Sequence, residues 1–188
     1  MSQPQLNHPT LPLLKAQFPD NTLYATEFRG QTTVVVTPAD LHDVLAFLKQ
    51  DDGSRYAMLN DIAGIDYLNY PEPKGLPPQG RFGVIYNLTS LDNDLRVFIK
   101  TYVDPTMDTS GIAEDPALEL DSVTDLWPGA EWLEREVYDM FGIRFRNHPD
   151  LRRILLWEKY PAHPLRKDYP VRGRGERETF NVVDRDSA

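Results

Sequence analysis

The pattern of hydrophobic and polar positions predicts a β-hairpin near the start of the chain. Residues 22–28 (TLYATEF) and 31–38 (QTTVVVTP) are rich in β-branched and aromatic side chains, and Arg29 and Gly30 separate them. Strand-forming runs joined by two residues, one of them glycine, are typical of a tight hairpin. We therefore expect two antiparallel strands here.

A second hairpin is predicted further along the chain. Residues 81–91 (RFGVIYNLTSL) and 95–104 (LRVFIKTYVD) alternate apolar and polar positions on either side of a short turn, as half-buried strands do. The preceding segment, 56–70, contains another strand, although its middle is also compatible with a helix. Residues 70–80 hold four prolines and two glycines, so we expect a loop there.

Helical periodicity marks other segments. Residues 10–18 predict a short helix. In the next helix, Thr37 is suited to cap the first turn, Pro38 to open it and Gly53 to end the element. The apolar residues of this second helix fall on one face, and they are Leu41, Val44, Leu45 and Leu48.

A third helix is predicted over residues 130–141, and Gly142 is a natural left-handed stop. Its apolar residues recur at helical spacing, and they are Trp132, Leu133, Val137, Met140 and Phe141. Residues 105–122 are expected to form a polar connector. The order α-β-β-α-β-β-β-α predicts an α+β fold in which helices pack on one face of a mixed or antiparallel sheet.

The regular pattern ends near residue 144. Four prolines interrupt the remaining chain, which is still rich in apolar and aromatic residues, and only 150–157 is compatible with a helical turn or two. This segment is too broken to build its own core and too apolar for a solvated tail. We therefore divide the chain into an α/β body, residues 1–143, and an extended C-terminal arm, residues 144–188, that lies across a partner. A chain cut after Gly142 should then keep its body largely folded.

Charge separates the same two parts. Residues 1–143 hold 9 Lys/Arg and 22 Asp/Glu, a net charge of −13, whereas residues 144–188 hold 11 and 7, a net charge of +4. A basic arm on an acidic body indicates that the arm meets an acidic protein or anionic lipid. We expect no nucleic acid partner, because the arm's aromatic residues show no regular stacking pattern.

Composition excludes several classes of function. The chain has no cysteine, which excludes disulfides, thiolate nucleophiles and cysteine-ligated iron–sulfur clusters. No run of about 18 apolar residues occurs, so we expect no transmembrane helix. The N-terminus does not resemble a signal peptide, which favours the cytosol. The four histidines form no pair at helical spacing, so we expect no metal site.

Candidate chemistry is concentrated in EREVYDMFGIRFRNHPDLRRILL, residues 134–156. Glu134 and Glu136 are candidates for an acid–base pair of a hydrolase, but side chains two apart on a helix do not converge. Glu131, Arg135 and Asp139 are spaced four apart and could form ion pairs on an exposed face. The remaining alternative is a docking surface that buries these charges against a partner.

The residues that follow are open to two interpretations. His148 precedes a proline in a loop and is more typical of a structural histidine than of a catalytic one. Arg152 and Arg153 could pair with carboxylates of the helix or reach acids on a partner. The segment 163–170 (HPLRKDYP) is either a solvated linker or an anchor on another chain, and the neighbouring aromatic residues favour the anchor.

Together these residues resemble the signature of the 30-kDa subunit family of respiratory complex I, the C subunit of NADH–quinone oxidoreductase. The resemblance covers about residues 122–172, and its main positions are Glu134, Arg135, Glu136, Asp139, Met140, Phe141, His148, Arg152 and Ile154. The continuation is similar to the family's tail, which adds as signature or interface positions Arg153, His163, Arg166, Lys167 and Asp168.

The resemblance implies a peripheral-arm subunit with no catalysis and no redox centre of its own. It implies docking on the quinone-site subunit, which is the D subunit of the complex, and on its cluster-bearing neighbours, on the cytoplasmic side of the cell membrane. FMN, iron–sulfur clusters, NADH and quinone would belong to the proton-pumping holoenzyme, and this chain would hold no cofactor. Equivalent subunits of membrane-bound hydrogenases and ferredoxin-linked complexes are the alternative that the resemblance leaves open.

Overall fold

The structure, a computed structural model, describes residues 6–19, 23–71, 80–111 and 113–176. In chain order its helices and strands are α1 (Thr10–Gln17), β1 (Tyr24–Phe28), β2 (Gln31–Val35), α2 (Leu41–Gln50), β3 (Met58–Asp66), β4 (Phe82–Ser90), β5 (Leu95–Val103), β6 (Glu119–Asp121), α3 (Ala130–Phe141) and β7 (Arg144–Arg146). The three helices and the two hairpins lie where the hydrophobic pattern predicts them.

Five strands form one mixed sheet in the order β1-β2-β5-β4-β3. The hairpin partners β1 and β2 are antiparallel, and so are β3 with β4 and β4 with β5. Strands β2 and β5 are parallel, which requires the crossover through α2 that the chain makes between them. The short strands β6 and β7 form a separate parallel pair.

The two faces of the large sheet differ in burial. On β4, every second residue from Phe82 to Leu88 is fully buried, whereas Ile85 and Asn87 between them are partly exposed. Such alternation is typical of a sheet with one face against the core. Leu14 of α1 and the apolar face of α2 pack into that core. The predicted α+β class, with helices on one face of a mixed sheet, is therefore confirmed.

Helix α3 lies on the same face, against the edge strand β3. Gly64 of β3 pairs with Val84 of the buried face, and a Cβ atom at this position would overlap the ring of Phe141. Glycine therefore allows the helix to approach the sheet closely. Gly142 follows the helix with a φ of +73°, so the predicted left-handed stop is confirmed.

The ends of α2 differ from the prediction. The helix begins at Leu41 because residues 37–40 form a turn of their own. In that turn the Thr37 hydroxyl accepts the Asp40 N–H at 3.3 Å and donates to the Asp40 carboxylate at 2.6 Å. The helix ends at Gln50, ahead of Gly53.

Other segments correct or extend the sequence interpretation. Residues 58–66 form a strand throughout, so the helical alternative for the middle of 56–70 is wrong. The connector 105–122 contains β6, which three residues are too few to reveal by alternation. Most of the predicted loop 70–80, and residue 22 of the first predicted strand, lie outside the described residues.

The largest correction concerns the chain after Gly142. Ile143 and Phe145 lie in the hydrophobic core, and Phe145 belongs to β7, which pairs with β6. The expectation that few residues beyond Gly142 pack on the body is therefore wrong. From residue 147 to residue 175 the arm contains no helix or strand, so the helical turn considered for 150–157 is not formed.

Candidate functional site

The polar side of α3 is covered by the arm of the same chain. Glu134, Arg135 and Asp139 are buried, whereas Glu136 is exposed. An exposed face of ion pairs is therefore the wrong interpretation of this helix. The charges are buried, as the docking alternative requires, but the chain itself covers them. The C-terminal segment covers Arg135 and Asp139, and residues 122 and 123 cover Glu134.

Asp139 organises the first part of the arm. Its Oδ2 atom accepts three consecutive backbone N–H groups, those of Ile154, Leu155 and Leu156, at 3.1, 2.8 and 2.9 Å. Its Oδ1 atom accepts the Arg153 guanidinium at 2.6 Å. Because one carboxylate satisfies three neighbouring donors, this segment needs no helical hydrogen bonds. The contact explains why no helix forms at 150–157.

Arg153 binds the arm to itself as well as to α3. Its Nη2 atom donates to the carbonyl oxygens of Tyr160 and Ala162, each at 2.9 Å. The guanidinium thus closes a loop of the arm around the Asp139 carboxylate. The side chains of Arg153 and Asp139 are almost completely buried. Removing either one would leave a buried charge without its partner, which is strongly destabilising.

Arg135 also binds the arm, through its backbone. Its guanidinium donates to the carbonyl oxygens of Arg152 and Arg153, at 3.1 and 3.0 Å. Among the described residues it forms no ion pair with Glu131 or Asp139, the partners that the spacing suggested. Arg152 itself is exposed and pairs with Asp150 at 2.8 Å.

Glu134 is fully buried between α3 and the segment before it. Its carboxylate accepts the Val123 N–H and the Ser122 hydroxyl, each at 2.7 Å. His148 of the arm lies 3.9 Å from the same carboxylate. Burial raises the pKa of Glu134 to about 7, although the two hydrogen bonds from Val123 and Ser122 oppose the shift.

His148 is a buried structural histidine, as its sequence context suggests. Its Nδ1 atom accepts the Asp150 N–H at 3.0 Å, so Nε2 carries the proton and donates to the Glu131 carbonyl at 3.0 Å. Both ring nitrogens therefore have a backbone partner. The ring joins the start of the arm to α3.

Replacing Glu134 by glutamine should change how stability depends on pH. Because the pKa of Glu134 is raised from 4.5 to about 7 on folding, the folded state holds the proton more tightly. The free energy of unfolding then falls as pH rises from about 4.5 to about 7, by on the order of 3 kcal/mol. Glu134→Gln removes this fall, since glutamine does not ionise.

Urea unfolding at several pH values measures the effect. The stability of Glu134→Gln relative to the natural chain should rise by about 2–3 kcal/mol between pH 4.5 and pH 7.5. Glu136→Gln, on the exposed side of the same helix, is the matched control and should show a constant difference. A constant difference for Glu134→Gln as well contradicts the prediction.

The second part of the arm is bound at the C-terminal end of α3. The Nδ1–H of His163 donates to the Asp139 carbonyl at 2.9 Å. Arg166 is buried and donates to the carbonyls of Phe141 and Thr109, at 2.7 and 2.9 Å. A Cβ atom at Gly142 would overlap both side chains. Gly142 therefore ends the helix and also leaves room for the arm to close over it.

Arg81 links the end of the arm to the sheet. Its guanidinium lies 3.0 Å from the Asp66 carboxylate and 2.9 Å from that of Asp168. The Lys167 N–H also donates to Asp66, at 2.8 Å. Burial by itself raises the pKa of Asp66, but the hydrogen bonds from Arg81, Lys167 and Leu68 lower it below its usual value. Asp66 and Arg81 bind the arm in positions that sequence reasoning missed, because they lie far from the arm in the chain.

In the described part of the chain, the arrangement holds two chain segments together and keeps Glu134 and Glu136 apart. The Glu134 oxygens are occupied by Ser122 and Val123, and Glu136 faces solvent on another side of the helix. Within the described ranges no group of three or more His, Asp or Glu is placed to hold a metal ion. Over the same ranges no helix has the length and apolar character needed to cross a bilayer.

Known proteins resemble this chain over body and arm together. The family model described as respiratory-chain NADH dehydrogenase, 30 Kd subunit, matches residues 34–175. The NADH-quinone oxidoreductase C subunit of Geobacter sulfurreducens is 42% identical over 160 residues, which cover 85% of this chain and 87% of that protein. The C subunit of Roseiflexus sp. is 41% identical over 175 residues, which cover 93% of this chain and 90% of the relative.

Two further comparisons extend the likeness to a eukaryote and to a solved structure. The mitochondrial NADH-ubiquinone oxidoreductase 30.4 kDa subunit of Neurospora crassa is 36% identical over 149 residues, covering 79% of this chain and 46% of that protein. The solved structure of a trypsin-resistant fragment (1–134) of Nqo5 is 34% identical, with a TM-score of 0.57, and covers 74% of this chain and 96% of the fragment.

Proposed function

The chain belongs to the 30-kDa subunit family of respiratory-chain NADH dehydrogenase, the C subunit of NADH–quinone oxidoreductase, and from this membership we propose a non-catalytic role in the complex. In this proposal it is a peripheral-arm subunit on the cytoplasmic side of the membrane. Its arm docks on the quinone-site subunit and supports assembly of the electron-transfer module. The enzyme pumps protons, and NADH, FMN, iron–sulfur clusters and quinone bind to its other subunits.

The observation that carries this proposal is that the arm has a fixed inner side and an apolar, basic outer side. The inner side is bound through Asp139, Arg166 and Asp168, as described above. On the outer side Leu155 and Leu165 are 62% and 54% exposed. Large apolar side chains that are held rigidly in water are typical of protein interfaces.

Exposed cations accompany these apolar residues on the arm, and they are Arg152, Lys159, Lys167, Arg172 and Arg174. The outer side therefore fits a partner surface that is apolar at its centre and acidic at its edges. The signature residues divide accordingly. Arg135, Asp139, His148, Arg153, His163 and Arg166 position the arm, while Arg152 and Lys167 are available to the partner. Glu134 binds the segment before α3 instead.

Among the described residues, the geometry does not favour the hydrolase alternative. Glu134 is enclosed and hydrogen-bonded by Ser122 and Val123, and Glu136 is exposed on another side of the helix, so the two carboxylates of the hydrolase alternative do not converge. Purified alone, the chain should transfer no electrons from NADH to quinone. The electron donor is tested with the intact complex. If the complex oxidises hydrogen or reduced ferredoxin and not NADH, it is one of the hydrogenases or ferredoxin-linked complexes.

Exchanging the exposed arm leucines for glutamate should impair assembly of the complex. Leu155→Glu/Leu165→Glu places two charges in the proposed interface without touching the anchors of the arm. We expect the amount of the quinone-site subunit recovered with a tagged chain to fall at least tenfold, as when an interface hot spot is lost. Quantitative mass spectrometry of the tagged complex measures the amount of the quinone-site subunit recovered.

Leu91→Glu is the matched control, since Leu91 is 72% exposed but lies in the turn between β4 and β5. It should leave recovery of the quinone-site subunit unchanged. Thermal unfolding of each purified chain separates a docking defect from a folding defect. Normal recovery of the quinone-site subunit with the double variant rules out docking through this side of the arm.

A further inference from the structure

The face of the large sheet opposite the helices is not covered by any helix of the described chain. Its central residues are Ile65, Tyr67, Ile85, Phe98, Lys100 and Tyr102, which alternate with the buried core residues on β3, β4 and β5. We call this surface the open sheet face. It lies on the side of the sheet away from α3, so the arm contacts described above do not use it.

A lysine at the centre of this face is held between two aromatic rings. The Lys100 ammonium lies 4.5 Å from the centre of the Tyr67 ring and 4.6 Å from that of Tyr102, and it donates a hydrogen bond to the Tyr67 hydroxyl. The two rings contact each other edge to face at 5.7 Å. The cation is therefore fixed in position by cation–π and hydrogen-bond contacts.

A glycine below the cluster makes this arrangement possible. A Cβ atom at Gly83 would lie 2.9 Å from the Tyr67 ring, 3.3 Å from Lys100 and 3.5 Å from the Tyr102 ring. All three side chains therefore rest on the backbone of β4 where other residues would place a side chain. The cluster is packed from below as well as from the sides.

Lys100 has no acidic partner within the described part of the chain. Burial is the sole cause that lowers its pKa, to about 8, and no carboxylate opposes the shift. A half-buried cation without a counter-charge is unfavourable. The isolated subunit thus carries an electrostatic cost that a carboxylate from outside would remove.

We propose that the open sheet face is a second docking surface, which receives another protein subunit of the complex that places an aspartate or glutamate against Lys100 within an apolar contact. Charge complementarity identifies the occupant: one fixed cation surrounded by Tyr67, Phe98 and Tyr102 calls for one carboxylate surrounded by apolar side chains. Tyr24 and Phe28 of β1 are also exposed on this face and extend the aromatic contact.

A protein fits this surface better than an anionic membrane does. Membrane-binding surfaces rely on clusters of several lysines and arginines. On the five strands, the only cations that share the register of this face are Lys100 and Arg96. Aromatic residues around a single desolvated charge are instead the composition of protein interface centres.

Substitution of Lys100 tests the proposal in the assembled complex. Natural and variant chains, carrying different tags, are expressed together so that they compete for incorporation. Lys100→Met should be incorporated at least tenfold less than the natural chain, because a carboxylate on the partner is left buried and unpaired, and Lys100→Glu still less. Lys15→Glu, an exposed lysine on α1, should compete equally.

Stability of the purified chains separates docking from folding. Lys100→Met should unfold at the same temperature as the natural chain or higher, since it removes an unpaired half-buried charge. Equal incorporation of Lys100→Met and the natural chain overturns the proposal. The proposal is also overturned if Lys100→Met and Lys100→Arg both unfold at a lower temperature and are both incorporated less. The defect is then one of folding.

A photo-cross-linking amino acid in place of Phe98 identifies the occupant directly. In the purified complex it should form a cross-link to a peptide of another subunit that contains an aspartate or glutamate. A cross-link to a second copy of this chain, or to lipid alone, contradicts the proposal. Failure of arm docking leaves this result unaffected, because the cross-linker reports on the opposite side of the sheet.

Discussion

A chain that ends at Gly142 is expected not to fold cooperatively. The cut removes Ile143 and Phe145 from the core, and with them β7, whose Arg144 N–H and Arg146 carbonyl bond to residues 118 and 122. Loss of two such core side chains costs about 5–8 kcal/mol in all. That is comparable with the whole stability of a typical domain, about 5–15 kcal/mol.

A series of shorter chains separates the contribution of the core residues from that of the contacts between the arm and α3. A chain ending at Arg153 retains both core residues and the pairing of Asp139 with Arg153, so it should fold with reduced stability. A chain ending at Pro170 retains His163, Arg166 and Asp168 and should approach the full chain. Urea unfolding followed by circular dichroism measures the series. A cooperative transition for the chain ending at Gly142 shows that the body is independent of the arm.

Replacing Asp139 by alanine is expected to lower the free energy of unfolding by about 3–5 kcal/mol, the cost of breaking one side of a buried ion pair. The substitution leaves the buried Arg153 without its carboxylate. It also leaves the N–H groups of Ile154, Leu155 and Leu156 without an acceptor. The arm should therefore detach from α3 before the body unfolds.

Hydrogen exchange and urea unfolding together measure this result. The amides of residues 154–156 should exchange slowly in the natural chain and rapidly in Asp139→Ala. Asp150→Ala is the matched control, because the Asp150 and Arg152 side chains are 47% and 68% exposed and such a pair contributes about 0–1 kcal/mol. Equal losses for the two variants contradict the role assigned to Asp139.

Assembly should depend both on the anchoring of the arm and on its exposed residues. Because Asp139 fixes the segment that carries Leu155, Asp139→Ala should also reduce recovery of the complex, although it alters no exposed residue. The exposed Leu155→Glu/Leu165→Glu variant should impair assembly with little loss of stability. Comparison of the two variants therefore separates the positioning of the arm from its contact with a partner.

Local elements of this protein were predictable from the sequence because they depend on short-range patterns. Alternation revealed both hairpins, and helical spacing located 130–141 together with the stop at Gly142. The strands β6 and β7 were not predictable, since three residues carry no recognisable period. Their pairing depends on Phe145 entering a core that the rest of the chain creates.

The residues of the candidate site were predictable from the sequence, but the groups that they contact were not. Charge and spacing singled out Glu134, Arg135 and Asp139, and the resemblance to the 30-kDa subunit family added the arm positions. Spacing alone suggested pairing within α3, because i,i+4 neighbours are the partners visible in a sequence. The structure replaces them with backbone groups of the arm. Arg81 and Asp66 showed no signal, because their partners Asp168 and Lys167 lie 87 and 101 residues further along the chain.

The sequence by itself therefore determined the α+β class, the helices and hairpins, the family and the presence of a basic apolar arm. These properties follow from local periodicity, composition and a motif. Only the tertiary structure decided that the arm closes on its own body before it can meet a partner. The physical reason is that buried charges such as Asp139 and Arg153 must find counter-charges and backbone donors wherever the fold brings them, and sequence distance does not reveal that place.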